Sequence, residues 1–283
     1  MRYCKYLASE PESESGRSFP RYALVELRGD VLYAVAPMAP PEEDLAAQLA
    51  PPATTPFQPT LLAELHLLPP VAPSKILCVG RNYRDHAAEL GNPLPKEPLL
   101  FLKPPSSLLA PGGAILLPSL SSRVDFEGEL AIVIGRRCSR LGPGEDPRDY
   151  IRGYTVVNDI SARDLQKSDG QWTRAKGFDT FCPTGPIVSD EIDPCGFGAD
   201  PGTPVSLTTR LNGEVRQHGS TADFIFAIPH LLRYISAAIT LEPGDLIPTG
   251  TPAGVGPIQP GDRIEVEIDG LGTLHNKIAA ATN

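Results

Sequence analysis

The chain has no long apolar run, no basic tract and no closely paired cysteines, and each absence removes a class of protein. No segment approaches the roughly 18 consecutive apolar residues that crossing a bilayer requires. The opening "MRYCKYLASE" also lacks the apolar core of a secretory signal. A soluble, unsecreted, cytoplasmic protein with no membrane partner is expected. Asp and Glu number 34 against 25 Lys and Arg, a net charge of -9, and the basic residues never cluster. The electrostatic footprint of a nucleic-acid binder is therefore missing. Cys4, Cys78, Cys138, Cys182 and Cys195 are odd in number and never spaced CxxC, which disfavours a disulfide framework and a structural zinc site; reduced, buried thiols are expected. The glycines of "CVGRNY" match neither G-x-G-x-x-G nor a P-loop, so no nucleotide is expected.

What is present is proline and glycine, 32 and 26 of 283 residues, and this implies many turns and short elements. A mainly β fold with short helices follows. Residues 21–36 read as a hairpin around Gly29, "EEDLAAQLA" as a short helix, and the proline-rich 51–73 as connectors. We place a domain boundary near residue 70, giving a small β-rich unit over 1–70 and a larger one over 71–283. Strands are expected at "KILCVG", "EPLLFLKPP" and "YIRGYTVVND", hairpins at "SLTTRLNGEVRQ" and "DRIEVEIDGLGTLHNKI", and a helix at "RNYRDHAAELG" closed by Gly91. A longer helix is predicted over 223–239, kinked at Pro229.

The stretch "VDFEGELAIVIG", 124–135, reads as a single strand that carries Asp125, Glu127 and Glu129 into an apolar run. Residues two apart share a face of a strand. A strand with one face in water would go on alternating, but Ala131 and Val133 follow on that face. The strand thus runs from a cavity into a core, with its carboxylates at the mouth. Two acids about 7 Å apart at a partly dry site repel at a cost on the order of several kcal/mol unless a cation or shared proton relieves them. A hard cation such as Mg²⁺ or Mn²⁺, which takes few carboxylates and keeps open positions, is the simpler answer. Asp159, which ends an apolar strand in "GYTVVNDISARDLQ", is the candidate third ligand. On spacing alone, solvated acids remain an alternative.

The ordered motifs "ILCVGRNYRDHAAELG", "LFLKPPSS", "DFEGELAIVIG", "GYTVVNDISARDLQ", "QWTRAKGFDTFCPTGP" and "GDLIPTGTPAGVG" resemble the fumarylacetoacetate hydrolase family over about residues 74–270. The resemblance implies a mixed β-sandwich roll, a homodimer, and a divalent ion, generally Mg²⁺ but with Mn²⁺ or Ca²⁺ as alternatives, held by Glu127, Glu129 and Asp159. It also implies a catalytic pair, His86 and Glu89, on a lid helix. Their i, i+3 spacing independently allows Glu89 to orient His86 and raise its basicity. Lys176, Gln166 and Thr251 match positions that line the family's substrate site. Arg81 and Arg163 add local positive charge, with Arg163 expected to pair with Glu89 or another carboxylate. Lys103 reads as a structural ion pair, Trp172 as packing beside the Lys176 loop, and His66, His218, His230 and His275 as surface or structural residues. The implied substrate is a 2-oxo acid. Metal-dependent hydrolysis of a C–C bond in an acylpyruvate through an enolate is the leading expectation, with His86 as base and Lys176 stabilising the oxyanion. Isomerisation of a 2-hydroxy-diene-dioate or decarboxylation of oxaloacetate is the alternative, and a non-catalytic metabolite-binding protein a remote one.

Overall fold

The computed structural model describes residues 1–9, 18–53, 55–89 and 93–281. A twelve-stranded sheet forms the frame. Across its middle run Cys182–Ser189, Ile151–Asn158, Gly128–Ile134, Leu246–Pro248, Ile76–Gly80 and Leu99–Lys103 in spatial order. The N-terminal strands Arg2–Ser9, Ser18–Arg28 and Val31–Met38 extend the same sheet, because Tyr3 pairs with Val188. A five-stranded sheet runs Glu214–Ser220, Ser206–Leu211, Arg263–Ile268, Gly272–Ala280 and Ala114–Leu117. A three-stranded sheet places Val124–Phe126 between Ser161–Ala162 and Gly256–Pro257. The expected hairpins at 21–36, 206–217 and 262–278 all form. Gly29 makes the first turn at φ 63°, which its missing Cβ allows. The expected Gly91 stop of the His86 helix lies outside the described residues.

The strand Gly128–Ile134 is buried on both faces, which is why it reads as a continuous apolar run. Leu130, Ile132 and Ile134 enter a core with Leu207 and Val266 of the five-stranded sheet and with Ile228, Leu231, Leu232 and Ile235 of the helix Ile228–Ala238. Ala131 and Val133 face the opposite way, into a second cluster with Cys78, Val157 and Leu246. Burial of each large aliphatic side chain contributes about 1.5–3 kcal/mol. All five cysteines are buried and free, as expected.

Two expectations need correction. The segment 124–135 is not one strand: it breaks at Glu127, and its two halves belong to different sheets. The helix predicted over 223–239 starts only at Ile228, so Pro229 lies in its first turn and does not kink it. A proline there forfeits no hydrogen bond, since the first N–H groups of a helix have no intrahelical partner.

Candidate metal and catalytic site

The break at Glu127 builds the site. Glu127 N–H donates to Asn158 Oδ1 at 2.9 Å, and Asp159 N–H donates to Glu127 C=O at 2.7 Å. These two bonds staple the crossover between sheets to the end of the strand Ile151–Asn158. Asp159 thereby meets the glutamates, and one carboxylate oxygen each from Glu127, Glu129 and Asp159 lies within 4.8 Å of the others. All three residues are buried.

Their charges are balanced unequally. Lys176 Nζ donates to Glu127 Oε2 and Asp159 Oδ2, both at 2.5 Å. Lys103 Nζ donates to Asp159 Oδ1 at 2.6 Å, which is the buried ion pair expected of it. Arg163 reaches Glu127 Oε1 at 2.5 Å and Asp125 Oδ2 at 2.9 Å, so its partners are these carboxylates and not Glu89. Among the described residues, Glu129 has no ion pair and accepts only the Gly250 N–H, at 2.8 Å. Burial would raise the Glu127 pKa, but Arg163 and Lys176 overcome it and hold that carboxyl far below its ordinary range. Burial raises Glu129 well above its ordinary value, and the neighbouring Asp159 and Glu127 push it further. Lys176 is itself held above its ordinary value: burial opposes this, but Asp159 and Glu127 outweigh burial.

An all-oxygen donor set in which one carboxyl group, Glu129, has no direct cationic partner among the described residues fits a hard divalent ion. Glu127, Glu129 and Asp159 would hold it. Gly250 belongs to this arrangement because its φ of 102° favours glycine, and a Cβ there would lie 2.8 Å from Asn82 Cβ.

A cavity of about 360 Å³ opens over the carboxylates. Of the sequence candidates, it is lined by Glu127, Glu129, Asp159, His86, Lys176, Arg81, Arg163, Gln166 and Thr251. Glu89 is exposed and does not line this wall. His86 Nδ1 lies 3.3 Å from Glu89 Oε2, and Glu89 also accepts the Gly254 N–H at 3.1 Å. A carboxylate oxygen opposite Nδ1 selects, for a neutral imidazole, the tautomer with hydrogen on Nδ1 and the lone pair on Nε2. Gln166 Oε1 is taken by Arg163 at 3.0 Å, which turns its amide N–H₂ outward from that contact. The Thr251 hydroxyl donates to Gly128 C=O at 2.8 Å and accepts from Gln217 at 2.7 Å. Trp172 lines the cavity too, edge-on to Phe101. His66, His218, His230 and His275 lie outside this wall and are exposed.

Sequence reading missed Lys167, an exposed lysine on the cavity wall that follows Gln166 with no motif of its own. It also missed the backbone donor Gly250, for which the only signal was the glycine inside "TGTP". Arg81 adopts the left-handed region at φ 57° and places its guanidinium 6.0 Å from the Trp172 ring. Among the described residues, neither Arg81 nor Lys167 has an acidic partner.

The profile described as fumarylacetoacetate (FAA) hydrolase C-terminal matches residues 75–279. This chain belongs to the fumarylacetoacetate hydrolase family. Protein Rv2993c of Mycobacterium tuberculosis is 52% identical over 217 residues, 77% of this chain and 80% of the relative. The oxaloacetate tautomerase YisK of Bacillus subtilis is 43% identical over 229 residues, 77% of this chain and 74% of the relative. The crystal structure of a 2-hydroxyhepta-2,4-diene-1,7-dioate isomerase from Mycobacterium marinum superposes with a TM-score of 0.80 at 41% identity, covering 100% of both chains. The mainly β architecture is that of the fumarylacetoacetate hydrolase fold.

Proposed function

We propose that this family member relocates a proton on a small 2-oxo dicarboxylic acid or its enol, as a tautomerase or isomerase working with a divalent ion. One observation carries the reading. His86, its Nδ1 engaged by Glu89, lines the same cavity as the three convergent carboxylates and Lys176. Sequence alone put C–C hydrolysis first. The named relatives favour proton transfer, which asks less of the site: a single base that takes a proton and gives it back.

A divalent ion, when bound, supplies Lewis acidity toward the substrate's carbonyl and carboxylate oxygens. The chain's residues do the rest. His86 Nε2 takes the proton from the carbon beside the carbonyl, and the C–H electron pair moves to form a C=C bond as the carbonyl oxygen gains negative charge. The proton is returned to that oxygen for tautomerisation, or to a remote carbon of a conjugated acid for isomerisation. Lys176 has three N–H donors and spends two on Glu127 and Asp159, leaving one for the developing oxyanion. Arg81 and Lys167, cations without acidic partners among the described residues, suit the second carboxylate.

Proton NMR in D₂O, with oxaloacetate, a 2-hydroxy-diene-dioate and fumarylpyruvate each offered with Mg²⁺ or Mn²⁺, tests this. Keto–enol interconversion or double-bond migration without chain cleavage is expected. Exclusive appearance of pyruvate with a second acid from fumarylpyruvate would assign C–C hydrolysis instead. The variant His86→Ala should lose about 10²–10⁴-fold in kcat, the usual contribution of a positioned base, with Mn²⁺ affinity unchanged. Wild-type turnover would remove His86 from the mechanism.

A further inference from the structure

The strand Glu214–Ser220 lies at the outer edge of the five-stranded sheet, and Gln217 is the one residue in it that is fully buried. An amide is an odd choice for the only buried position of an exposed edge strand. It is nearly saturated: Oε1 accepts Gly128 N–H at 3.0 Å, while Nε2 donates to Thr251 Oγ1 at 2.7 Å and to Pro252 C=O at 2.8 Å.

Gly128 is the residue between the two glutamates of the site. Along the strand Gly128–Ile134, the neighbouring strand Leu246–Pro248 pairs with Ala131–Val133 alone, and Thr249 N–H adds one further bond to Leu130 C=O. Beyond that the ladder on this side ends, although Gly128 still presents an N–H and a C=O. Side chains complete it: Gln217 takes the N–H, and Thr251 Oγ, itself held by Gln217, donates to the C=O at 2.8 Å. A side chain at position 128 would force its neighbours to shift, because a Cβ there would fall 2.3 Å from Thr209 Oγ1 and 2.9 Å from Val266 Cγ1.

We infer that Gln217 is a positioning residue for the metal-binding carboxylates. By clamping Gly128 on one side and the Thr251–Pro252 loop on the other, it fixes the relative orientation of Glu127 and Glu129. This rests on the divalent-ion reading of the site, but not on which reaction follows. Groups that orient metal ligands without touching the metal commonly affect affinity by about 10–100-fold.

The test is a Mn²⁺ titration of the full-length protein, followed by the electron paramagnetic resonance of free Mn²⁺. Gln217→Met should weaken binding at least about 10-fold in protein that remains folded by circular dichroism. Thr209→Val, which alters packing beside the same glycine and beside Gln217 but removes none of the clamp's hydrogen bonds, should bind like wild type. If Gln217 acts through the Gly128 peptide, the loss in Gln217→Met/Thr251→Val will be smaller than the product of the two single losses. Wild-type affinity in folded Gln217→Met overturns the inference, as does an equal loss in Thr209→Val or simple multiplication of the two single effects. Should wild-type protein bind no Mn²⁺, the metal reading itself falls, and this inference with it.

Discussion

Of the three carboxylates proposed to hold the ion, Glu129 is the one without a cationic partner among the described residues. Its folded-state pKa lies above the unfolded value because of burial and its acidic neighbours. Without an ion, its ionisation therefore opposes folding. That penalty is absent below the unfolded pKa, near 4.5, and grows as pH rises toward the folded value. Glu127, shifted the opposite way by Arg163 and Lys176, adds stability above its unfolded pKa and loses it as pH falls. Glu129→Gln keeps an acceptor for the Gly250 N–H and removes the titrating carboxyl group. In EDTA at pH 7 to 8 this variant should melt higher than wild type, whereas the rise in Tm that Mg²⁺ or Mn²⁺ produces in wild type should disappear. Thermal melts with and without the ion check both signs. A Glu129→Gln protein that melts lower in EDTA and still gains from Mg²⁺ would show that this carboxylate is neither strained nor a ligand.

Among the elements, the glutamate strand was legible because its apolar run and acidic start are both unusual, and residue identity alone marked the acids. Its division between two sheets was not legible. The break lies in the hydrogen-bond partners of Glu127, Asn158 and Asp159, which are 31 and more residues apart in pairing. The hairpins were readable through their turns, where Gly29 and Asn212-Gly213 satisfy a local need. Pro229 misled because a proline is compatible with both a kink and a helix start, and burial of Ile228 in the core decides between them. The same long-range logic makes Gly128 sensitive. Gly128→Ala would press a methyl group into Thr209 and Val266, and overpacking of this kind typically costs about 1–3 kcal/mol. At about 2–4 °C per kcal/mol for a chain somewhat shorter than this one, the melting temperature should fall by several degrees. Mn²⁺ binding should weaken as well. A calorimetric scan showing an unchanged Tm would mean that the five-stranded sheet gives way at no cost.

At the scale of the whole molecule, the proposed function requires a chain with a net charge of -9 to admit a dianionic substrate. Long-range attraction cannot do this, and the carboxylates at the cavity floor make it harder. Local charge has to prevail, and at physiological salt the screening length is about 8 Å, so what matters is the sign of the groups at the mouth. Arg81 and Lys167 are the lining cations that have no acidic partner among the described residues. Arg81 was named from the sequence as local positive charge, but Lys167 was not, because a lone exposed lysine at the end of a short helix reads as solvated surface; only its place on the wall distinguishes it. Lys167→Glu should raise KM for a dicarboxylate about 10-fold, a tenfold change corresponding to about 1.4 kcal/mol, and leave kcat nearly unchanged. Lys167→Gln should raise it less, and 0.5 M NaCl should narrow the gap between the two variants, because a partly exposed charge is screened. For a 2-oxo monocarboxylate of similar length, all three proteins should give closely similar KM values. Steady-state kinetics on matched mono- and dicarboxylates decides the point: equal sensitivity of both substrates to Lys167→Glu would place this lysine near the oxo-acid end, leaving Arg81 alone to hold the distal carboxylate.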